Sequence, residues 1–244
     1  MVELLQTSRG SAQSTTIEYS CRVNLDLYDG PECASLATQA AAGRQLRVLT
    51  VPEKSVPPDP QAVEVCLCED DYRCWLSGHD VEKLELAEMP YRAIALSDPE
   101  IKERLPGAIA FAQEAMDRDN YYLWGGTVGP NYDCSGLIQA AFCSVGIWLP
   151  RDADQQESFV QEIPIVELQP GDLIFFGSAD KINHVGLYLG EGKYIHSSGK
   201  DMGRNGIGID LLSEQGDAIS QAYYQQLRGA GRVLASYLPG DGNW

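Results

Sequence analysis

The stretch NYDCSGLIQAAFCSVG, residues 131–146, marks the point at which a glycine-rich loop turns into a helix. Asp133 is suited to accept hydrogen bonds from the unpaired N–H groups of a first helical turn, which predicts a helix from Cys134 to about Val145. Apolar residues recur along this segment at helical spacing, and Gly146 is a natural C-terminal stop. We therefore expect one face of this helix to pack in the core.

Strands are expected to dominate the chain after this helix. They are predicted at Leu173 to Phe176, His184 to Gly190, Lys193 to Ser198, Gly206 to Asp210 and Gly231 to Tyr237. Before residue 131, Asp98-Pro99-Glu100 offers a helix start, but Pro106 favours a kink or a restart, so Pro106 to Arg118 is the expected helix. Helices followed by a run of strands predict an α+β domain with an antiparallel sheet.

The chain up to about Leu86 reads instead as short β-runs separated by turn-forming residues. These runs are Glu18 to Asp26, Arg44 to Val51, Ala62 to Cys68, Arg73 to Leu76 and Val81 to Leu86. The proline-rich residues 51–60 and the tripeptide Ser77-Gly78-His79 fall between runs, at spacings typical of a small SH3-like β-barrel. The expected organisation is a barrel over 1–88, a linker with the first helix start over 89–104, and the α+β domain over 105–244.

Composition limits the partners. The 244 residues carry 18 Lys plus Arg against 35 Asp plus Glu, a formal net charge of −17, which repels phosphate backbones and anionic lipid. Nucleic acid and membranes are therefore not expected partners. No stretch approaches the roughly 20 apolar residues of a membrane span, and residues 1–20 lack the basic and apolar regions of a secretory signal. We expect a cytoplasmic protein, with export by another route left open.

Four of the possible metal ligands lie close together in the first part of the chain. Cys66, Cys68, Cys74 and His79 fall within 14 positions, but they lack the paired spacing of structural zinc sites. Cys66 and Cys68 alternate in the strand-like run AVEVCLC, which is typical of a buried strand face. The sequence therefore predicts no metal and no other cofactor.

A cysteine in the first turn of a helix is a candidate nucleophile. The unpaired N–H groups and the positive end of the helix dipole stabilise a thiolate there, and a nearby imidazolium lowers the thiol pKa further. Cys134 has this position. Cys143, nine residues further along the same helix, is expected to lie in the core.

Two histidines, His184 and His196, are expected to meet on successive strands. If Gly190-Glu191-Gly192 is the loop of a hairpin, Leu189 faces Lys193 and the numbers of cross-strand partners sum to 382. The two histidines are then diagonal neighbours on one face, with Cβ atoms about 7–8 Å apart, so one ring can orient the other.

Cys134 and this histidine pair would supply the three groups that acyl transfer requires. Cys134 attacks, His184 takes and later returns the proton, and His196 fixes the tautomer of His184. A cysteine or a strand histidine taken alone is more often structural, whereas the joint arrangement points to catalysis. Two alternatives stay open: an inert SH3-like protein that binds peptide or cell wall, and an acyltransferase that uses the same Cys-His pair.

The order of motifs along the second half of the chain resembles the NlpC/P60 cysteine peptidases. The motifs are Tyr122 to Gly126, Asp133 to Gly136, Leu149 to Arg151, Leu168 to Phe176, His184 to Tyr188 and Tyr194 to His196. The resemblance implies a papain-like α+β fold and an accompanying bacterial SH3 (SH3b) domain. It also implies hydrolysis of the bond from the γ-carboxyl of D-glutamate to a diamino acid, usually meso-diaminopimelate, in peptidoglycan peptides.

Carried over by position, the resemblance makes Cys134 the nucleophile, His184 the base and His196 the third polar residue. It also places Tyr122 beside the nucleophile, where its hydroxyl is suited to donate to a developing oxyanion.

Four further residues are candidates for substrate binding. Asp133 and Ser135 flank the nucleophile and are suited to hold the free amine of an L-Ala-γ-D-Glu-diaminopimelate peptide, and Arg151 to face a substrate carboxylate. Tyr72, at an aromatic and charged strand turn, is a candidate for closing the amine-binding end of the cleft. The expected role is the recycling of released murein peptides; the oligomeric state stays open.

Overall fold

The computed structural model describes residues 17–50, 61–178 and 180–240. The sequence predictions made for residues 1–16 and for the proline-rich residues 51–60 lie outside the described residues. The chain separates into two compact units, Met1–Arg92 and Ala93–Trp244. Across the described ranges, no helix has the length and apolar character that crossing a membrane requires.

The first unit is a small antiparallel β-structure. Its described strands are β1 (Glu18–Cys21), β2 (Leu25–Tyr28), β3 (Leu36–Ala40), β4 (Gln45–Thr50), β5 (Val63–Leu67), β6 (Arg73–Leu76) and β7 (Leu84–Leu86). They pair in the order β3-β2-β6-β5-β4-β1-β7. Leu27, Leu46 and Leu67 are fully buried at its centre, and Cys66, Cys68 and Cys74 are buried as well. This is the SH3-like unit that the sequence predicts.

The strand predictions for this unit need three corrections. The run from Glu18 to Asp26 is broken by a turn into β1 and β2. Strand β3 was missed, because its sequence LATQA has little of the β-branched and aromatic character that marks strands. Residues Val81–Lys83 form a 3-10 turn, so only Leu84–Leu86 of that predicted run is a strand.

The second unit packs helices against an antiparallel sheet. Its described helices are α1 (Asp98–Met116), α2 (Cys134–Cys143), α3 (Ala153–Phe159) and α4 (Ala218–Tyr224). Its strands are β8 (Gln161–Ile163), β9 (Leu173–Gly177), β10 (Ile182–Gly190), β11 (Lys193–Ser198), β12 (Gly206–Leu211) and β13 (Leu227–Arg232), in the order β12-β11-β10-β9-β13-β8. The predicted α+β fold is confirmed.

The core of the second unit lies between the helices and one face of the sheet. Fully buried members include Ile101 of α1, Leu137 and Phe142 of α2, and Leu187 and Ile195 of the central strands. Helix α2 is therefore surrounded by structure along most of its length, which fixes the position of its first residue, Cys134.

Helix α1 corrects the prediction that a helix begins at Pro106. The helix begins eight residues earlier, at Asp98, where Ser97 and Glu100 form a capping box. Pro106 is exposed, and so is Lys102, the residue whose carbonyl group loses its helical hydrogen-bond donor to the proline. The capping energy and the burial of one helix face outweigh the local cost of the proline.

The hairpin of β10 and β11 has the predicted register, with a difference at its tip. Leu187 pairs with Ile195, which gives the expected sum of 382, but Gly190 and not Leu189 faces Lys193. The loop is Glu191-Gly192, and both residues have positive φ, as a two-residue type I′ loop requires. A bulge next to the loop absorbs the extra residue, so the register around the histidines is retained.

The last predicted strand, Gly231 to Tyr237, is also displaced. The structure has β13 at Leu227–Arg232, where it pairs with both β8 and β9. The apolar residues that follow, Val233 and Tyr237, are buried without forming a strand. Apolar character there reflects burial and not strand pairing.

Candidate active site

The N-terminus of α2 is built around the side chain of Asp133. Its Oδ1 accepts a hydrogen bond from the N–H of Gly136 at 2.6 Å, and its Oδ2 accepts one from the N–H of Gly125 at 2.8 Å. A Cβ atom at position 136 would collide with the carbonyl oxygen of Gly126. The glycine-rich loop can therefore pack directly against the helix start, which holds Cys134 at the first helical position.

Cys134 lies near the surface of the core, with 7% of its area exposed. The N–H groups of Ser135 and Val185 donate hydrogen bonds to its sulfur, and these bonds lower the thiol pKa, as Arg151 does. Burial and the carboxylate of Asp133 outweigh them and raise the pKa of Cys134 to about 12. The surroundings of the sulfur in this structure therefore oppose the thiolate that the helix dipole favours.

His184 and His196 are joined directly. Nε2 of His184 lies 2.6 Å from Nδ1 of His196, and both rings are buried. The diagonal contact expected from the hairpin register is thus confirmed. His184 precedes Val185, whose N–H bonds to the Cys134 sulfur, so the hairpin brings the dyad to the nucleophile. The ring nitrogen of His184 that remains to accept a proton is Nδ1.

Burial lowers the pKa of both imidazoles. The pKa of His184 is well below its ordinary value, because burial and the neighbouring His196 both oppose a positive charge. Burial also lowers the pKa of His196, although Asp210 works in the opposite direction. The surroundings of Cys134 and His184 therefore favour the uncharged form of both groups.

Asp210 is a site residue that the sequence prediction missed. Its Oδ2 lies 2.6 Å from Nε2 of His196, and its Oδ1 accepts a hydrogen bond from Arg204 at 2.5 Å. The signal was available in principle, because β12 pairs His196 with Gly208, which makes Asp210 the diagonal neighbour on the same face. Applying the register argument to β11 and β12, as it was applied to β10 and β11, would have predicted this contact.

Tyr223 of α4 covers the dyad from one side. Its ring stacks on His184 with a centroid distance of 4.4 Å and meets His196 edge-on at 4.8 Å. Its hydroxyl group is 2.7 Å from the Ser198 hydroxyl group, which fixes the ring. Phe176 packs against His184 as well, at 5.8 Å. The imidazoles are thus held in an aromatic enclosure.

Tyr122 lies next to the nucleophile, as the resemblance implied. Its side chain forms a hydrogen bond with that of Cys134, and its pKa is raised, mainly by burial and then by Cys134 and Asp133. The hydroxyl group therefore keeps its proton throughout the neutral range and is available as a donor. Donation to an oxyanion stays a prediction.

Asp133, Ser135 and Arg151 form one buried cluster. Arg151 is 1% exposed and donates from Nη2 to Oδ2 of Asp133 at 2.6 Å and from Nη1 to the Ser135 hydroxyl group at 2.9 Å. The predicted roles, an amine site at Asp133 and Ser135 and a carboxylate site at Arg151, remain predictions. In this structure the charges of Asp133 and Arg151 are directed at each other, which supports the position of Cys134.

Tyr72 belongs to the first unit, just before β6. It is half-buried and packs against the core of that unit, and its N–H donates to Asp70 at 3.3 Å. Its predicted contact with the substrate amine stays a prediction.

The buried dyad predicts that the protein loses stability in mild acid. Unfolded histidines take up protons near pH 6.5, whereas His184 and His196 resist protonation until lower pH, so the unfolded state binds more protons in this window. The stability contributed by the neutral rings is present above that pH and is lost as the pH falls towards their lowered pKa values. We expect the melting temperature of His184→Gln to depend less steeply on pH than that of wild type between pH 7.5 and 5.5. Parallel curves would contradict the buried neutral dyad.

Comparison with known proteins places this geometry in a family. The model of the NlpC/P60 family matches residues 119–228, which contain the helix start, the histidine hairpin and Asp210. The chain carries an NlpC/P60 domain. A second model, described as the bacterial dipeptidyl-peptidase Sh3 domain, matches residues 27–81. The SH3-like unit and the NlpC/P60 domain thus follow each other in the order that the sequence predicts.

Curated relatives of this domain are peptidases. The chain is 39% identical over 95 residues to a gamma-D-glutamyl-L-lysine dipeptidyl-peptidase of Bacillus subtilis, covering 38% of this chain and 30% of the relative. It is 34% identical over 139 residues to dipeptidyl-peptidase 6 of Lysinibacillus sphaericus, covering 54% of this chain and 48% of the relative. The matched parts therefore span less than half of these relatives.

Among solved structures, NlpC1 from Trichomonas vaginalis has a similar fold. It covers 97% of this chain and 99% of its own, with a TM-score of 0.50 and 17% identity. At this identity the likeness concerns the fold alone.

Proposed function

We propose that the protein is a cysteine endopeptidase that hydrolyses the bond from γ-D-glutamate to an L-diamino acid, meso-diaminopimelate, in peptidoglycan stem peptides. Its proposed substrates are free murein peptides with an unblocked N-terminal L-Ala, as in cell-wall recycling. The observation that carries the proposal is the His184–His196 dyad, 2.6 Å between ring nitrogens, beside a cysteine at a helix start.

The proposed reaction follows from the proton positions. As the Cys134 sulfur attacks the γ-carbonyl carbon, Nδ1 of His184 takes the thiol proton, and the carbonyl oxygen becomes an oxyanion that accepts a hydrogen bond from Tyr122. The C–N bond breaks, and the diamino acid leaves as the amine with the proton from His184. Water then attacks the thioester, giving the free γ-carboxyl group and restoring the thiol.

The substrate class rests on the relatives and on charge. Two curated relatives are named dipeptidyl-peptidases, and the first is named for a γ-D-glutamyl-L-lysine bond. An enzyme that releases an N-terminal dipeptide needs an open N-terminus. A net charge of −17 also disfavours binding to acidic wall polymers. Both arguments favour small released peptides over intact wall.

The preference for an open N-terminus predicts a large difference between two peptides. We expect L-Ala-γ-D-Glu-meso-diaminopimelate to be cleaved at least about 100-fold faster than its N-acetyl derivative, because acetylation removes the positive charge of the amine and adds bulk at the proposed amine site beside Asp133 and Ser135. Liquid chromatography with mass spectrometry measures both rates, and the L-lysine peptide tests the diamino acid. Equal rates for the free and the acetylated peptide would defeat the free-amine proposal.

The raised pKa of Cys134 is the observation that favours an inert, peptide-binding protein. A resting thiol is nevertheless compatible with catalysis when a base removes the proton during attack. The same incubation separates the two functions, since a binding protein gives no product. An acyltransferase would give an amine-capped dipeptide in place of the free acid.

A further inference from the structure

Behind the proposed catalytic dyad lies a polar chain of four side chains. His184 contacts His196 at 2.6 Å, His196 contacts Asp210 at 2.6 Å, and Asp210 contacts Arg204 at 2.5 Å. The first three side chains are buried, and Arg204 is 24% exposed. The chain runs from the core to solvent across three neighbouring strands and the turn before β12.

We propose that Asp210 is a positioning residue that sets the tautomers of both histidines and thereby makes His184 a base towards Cys134. The inference rests on the proposed function for its kinetic consequence. The structural consequence of the inference, which is the location of the two imidazole protons, is independent of the proposed function.

The locations of the protons follow from the hydrogen bonds. A carboxylate only accepts, so Nε2 of His196 must carry a proton and donate it to Asp210. A neutral His196 then has a bare Nδ1, which must accept from Nε2–H of His184. This leaves Nδ1 of His184 without a proton, in the form that can take one from a thiol. With both histidines neutral, each of these hydrogen bonds is compatible with only one tautomer of its imidazole.

Arg204 occupies the second oxygen of Asp210. Its guanidinium group donates to Oδ1, the oxygen that His196 does not use. The path is open because residue 208, the cross-strand partner of His196, is a glycine: a Cβ atom there would collide with the Arg204 guanidinium group. Three positions of one segment, Arg204, Gly208 and Asp210, therefore serve the same histidine.

Asparagine at position 210 no longer forces Nε2 of His196 to be the donor in this hydrogen bond. Its amide group can donate to a bare Nε2 of His196, which shifts the proton of His196 to Nδ1 and that of His184 to its own Nδ1. His184 then presents N–H to the sulfur and cannot act as a base. The side chain keeps its size, so the effect of the substitution is on proton position and not on packing.

The test compares wild type, Asp210→Asn and the exposed control Asp119→Asn as full-length proteins. Nitrogen-15 spectra of histidine-labelled protein report which ring nitrogens carry protons. The chain has three histidines, so His79 of the first unit serves as an internal reference. Steady-state kinetics on L-Ala-γ-D-Glu-meso-diaminopimelate give kcat and KM separately, and thermal melting gives stability.

We expect wild type and Asp119→Asn to hold the protons on Nε2 of both site histidines. In Asp210→Asn we expect protons on Nδ1 and a kcat lowered by about 100-fold or more with KM within about twofold, since replacing the orienting carboxylate of a triad by an amide has large effects. Nδ1 protons in the wild-type protein would overturn the proposal even if the variant does not fold. Unchanged tautomers and kcat in a folded variant would also overturn it.

A failure of the proposed function is distinguishable from a failure of this inference. If wild type cleaves no γ-D-glutamyl peptide, the spectra still decide the tautomers, and the rate of Cys134 alkylation by iodoacetamide replaces kcat. We then expect alkylation near neutral pH to be slower in Asp210→Asn than in wild type and in Asp119→Asn. Equal alkylation rates together with unchanged tautomers would count against the role of Asp210.

Discussion

Replacing Cys134 by alanine is expected to lower the rate of γ-D-glutamyl peptide hydrolysis by at least about 10⁴-fold, the scale seen when a covalent nucleophile is removed. Without the sulfur no thioester forms, and the histidine dyad and Tyr122 have no nucleophile to serve. Mass spectrometry of products from defined murein peptides measures the loss.

Cys143→Ala is the matched control for this variant. Cys143 ends the same helix, nine residues from Cys134 and away from the histidine dyad. We expect Cys143→Ala to retain activity within about twofold, because position 143 is at the opposite end of the helix from Cys134. Comparable activity of Cys134→Ala and Cys143→Ala, with wild-type melting curves, would contradict the assignment of the nucleophile.

Replacing Arg151 by methionine is expected to lower the free energy of unfolding by about 3–5 kcal/mol, because it leaves the Asp133 carboxylate buried without its charged partner. The pair is almost fully buried, with side-chain exposures of 1% and 9%. Asp133 also caps α2, so the charge left behind lies beside Cys134. Urea unfolding monitored by tryptophan fluorescence measures the change.

Two comparisons make this prediction specific. Lys102→Met breaks the exposed pair with Asp98 and is expected to cost at most about 1 kcal/mol. The double variant Asp133→Asn with Arg151→Met removes both charges and is expected to be more stable than Arg151→Met alone. If Arg151→Met costs no more than Lys102→Met, the cluster does not hold the helix start as described.

The features that the sequence predicts well are those whose cause is local. The cap at Asp133 depends on residues within three positions, and the histidine contact depends on a period of two along one hairpin. The turn at Glu191-Gly192 shifted one pairing without moving the histidines, since a bulge absorbed the change. Local sequence patterns were therefore sufficient to assign Cys134 to the start of a helix and the two histidines to adjacent strands.

The features that were missed depend on contacts distant in sequence. Arginine is usually a surface residue, and only the fold shows that Arg151 is buried against Asp133, 18 positions away. Asp210 is recognised as a site residue only from the pairing of β12 with β11. Helices α3 and α4, each of seven residues, are too short for a periodic apolar stripe to stand out.

The central claim is that the Cys134 sulfur becomes covalently bound to the peptide during turnover. Rapid acid quenching of wild type with L-Ala-γ-D-Glu-meso-diaminopimelate, followed by peptide mapping, measures it directly. The account predicts an L-Ala-γ-D-glutamyl thioester on Cys134 that is absent from Cys134→Ala. An acyl group found on a residue other than Cys134 during turnover would contradict this claim. Hydrolysis that persists in Cys134→Ala would contradict it as well.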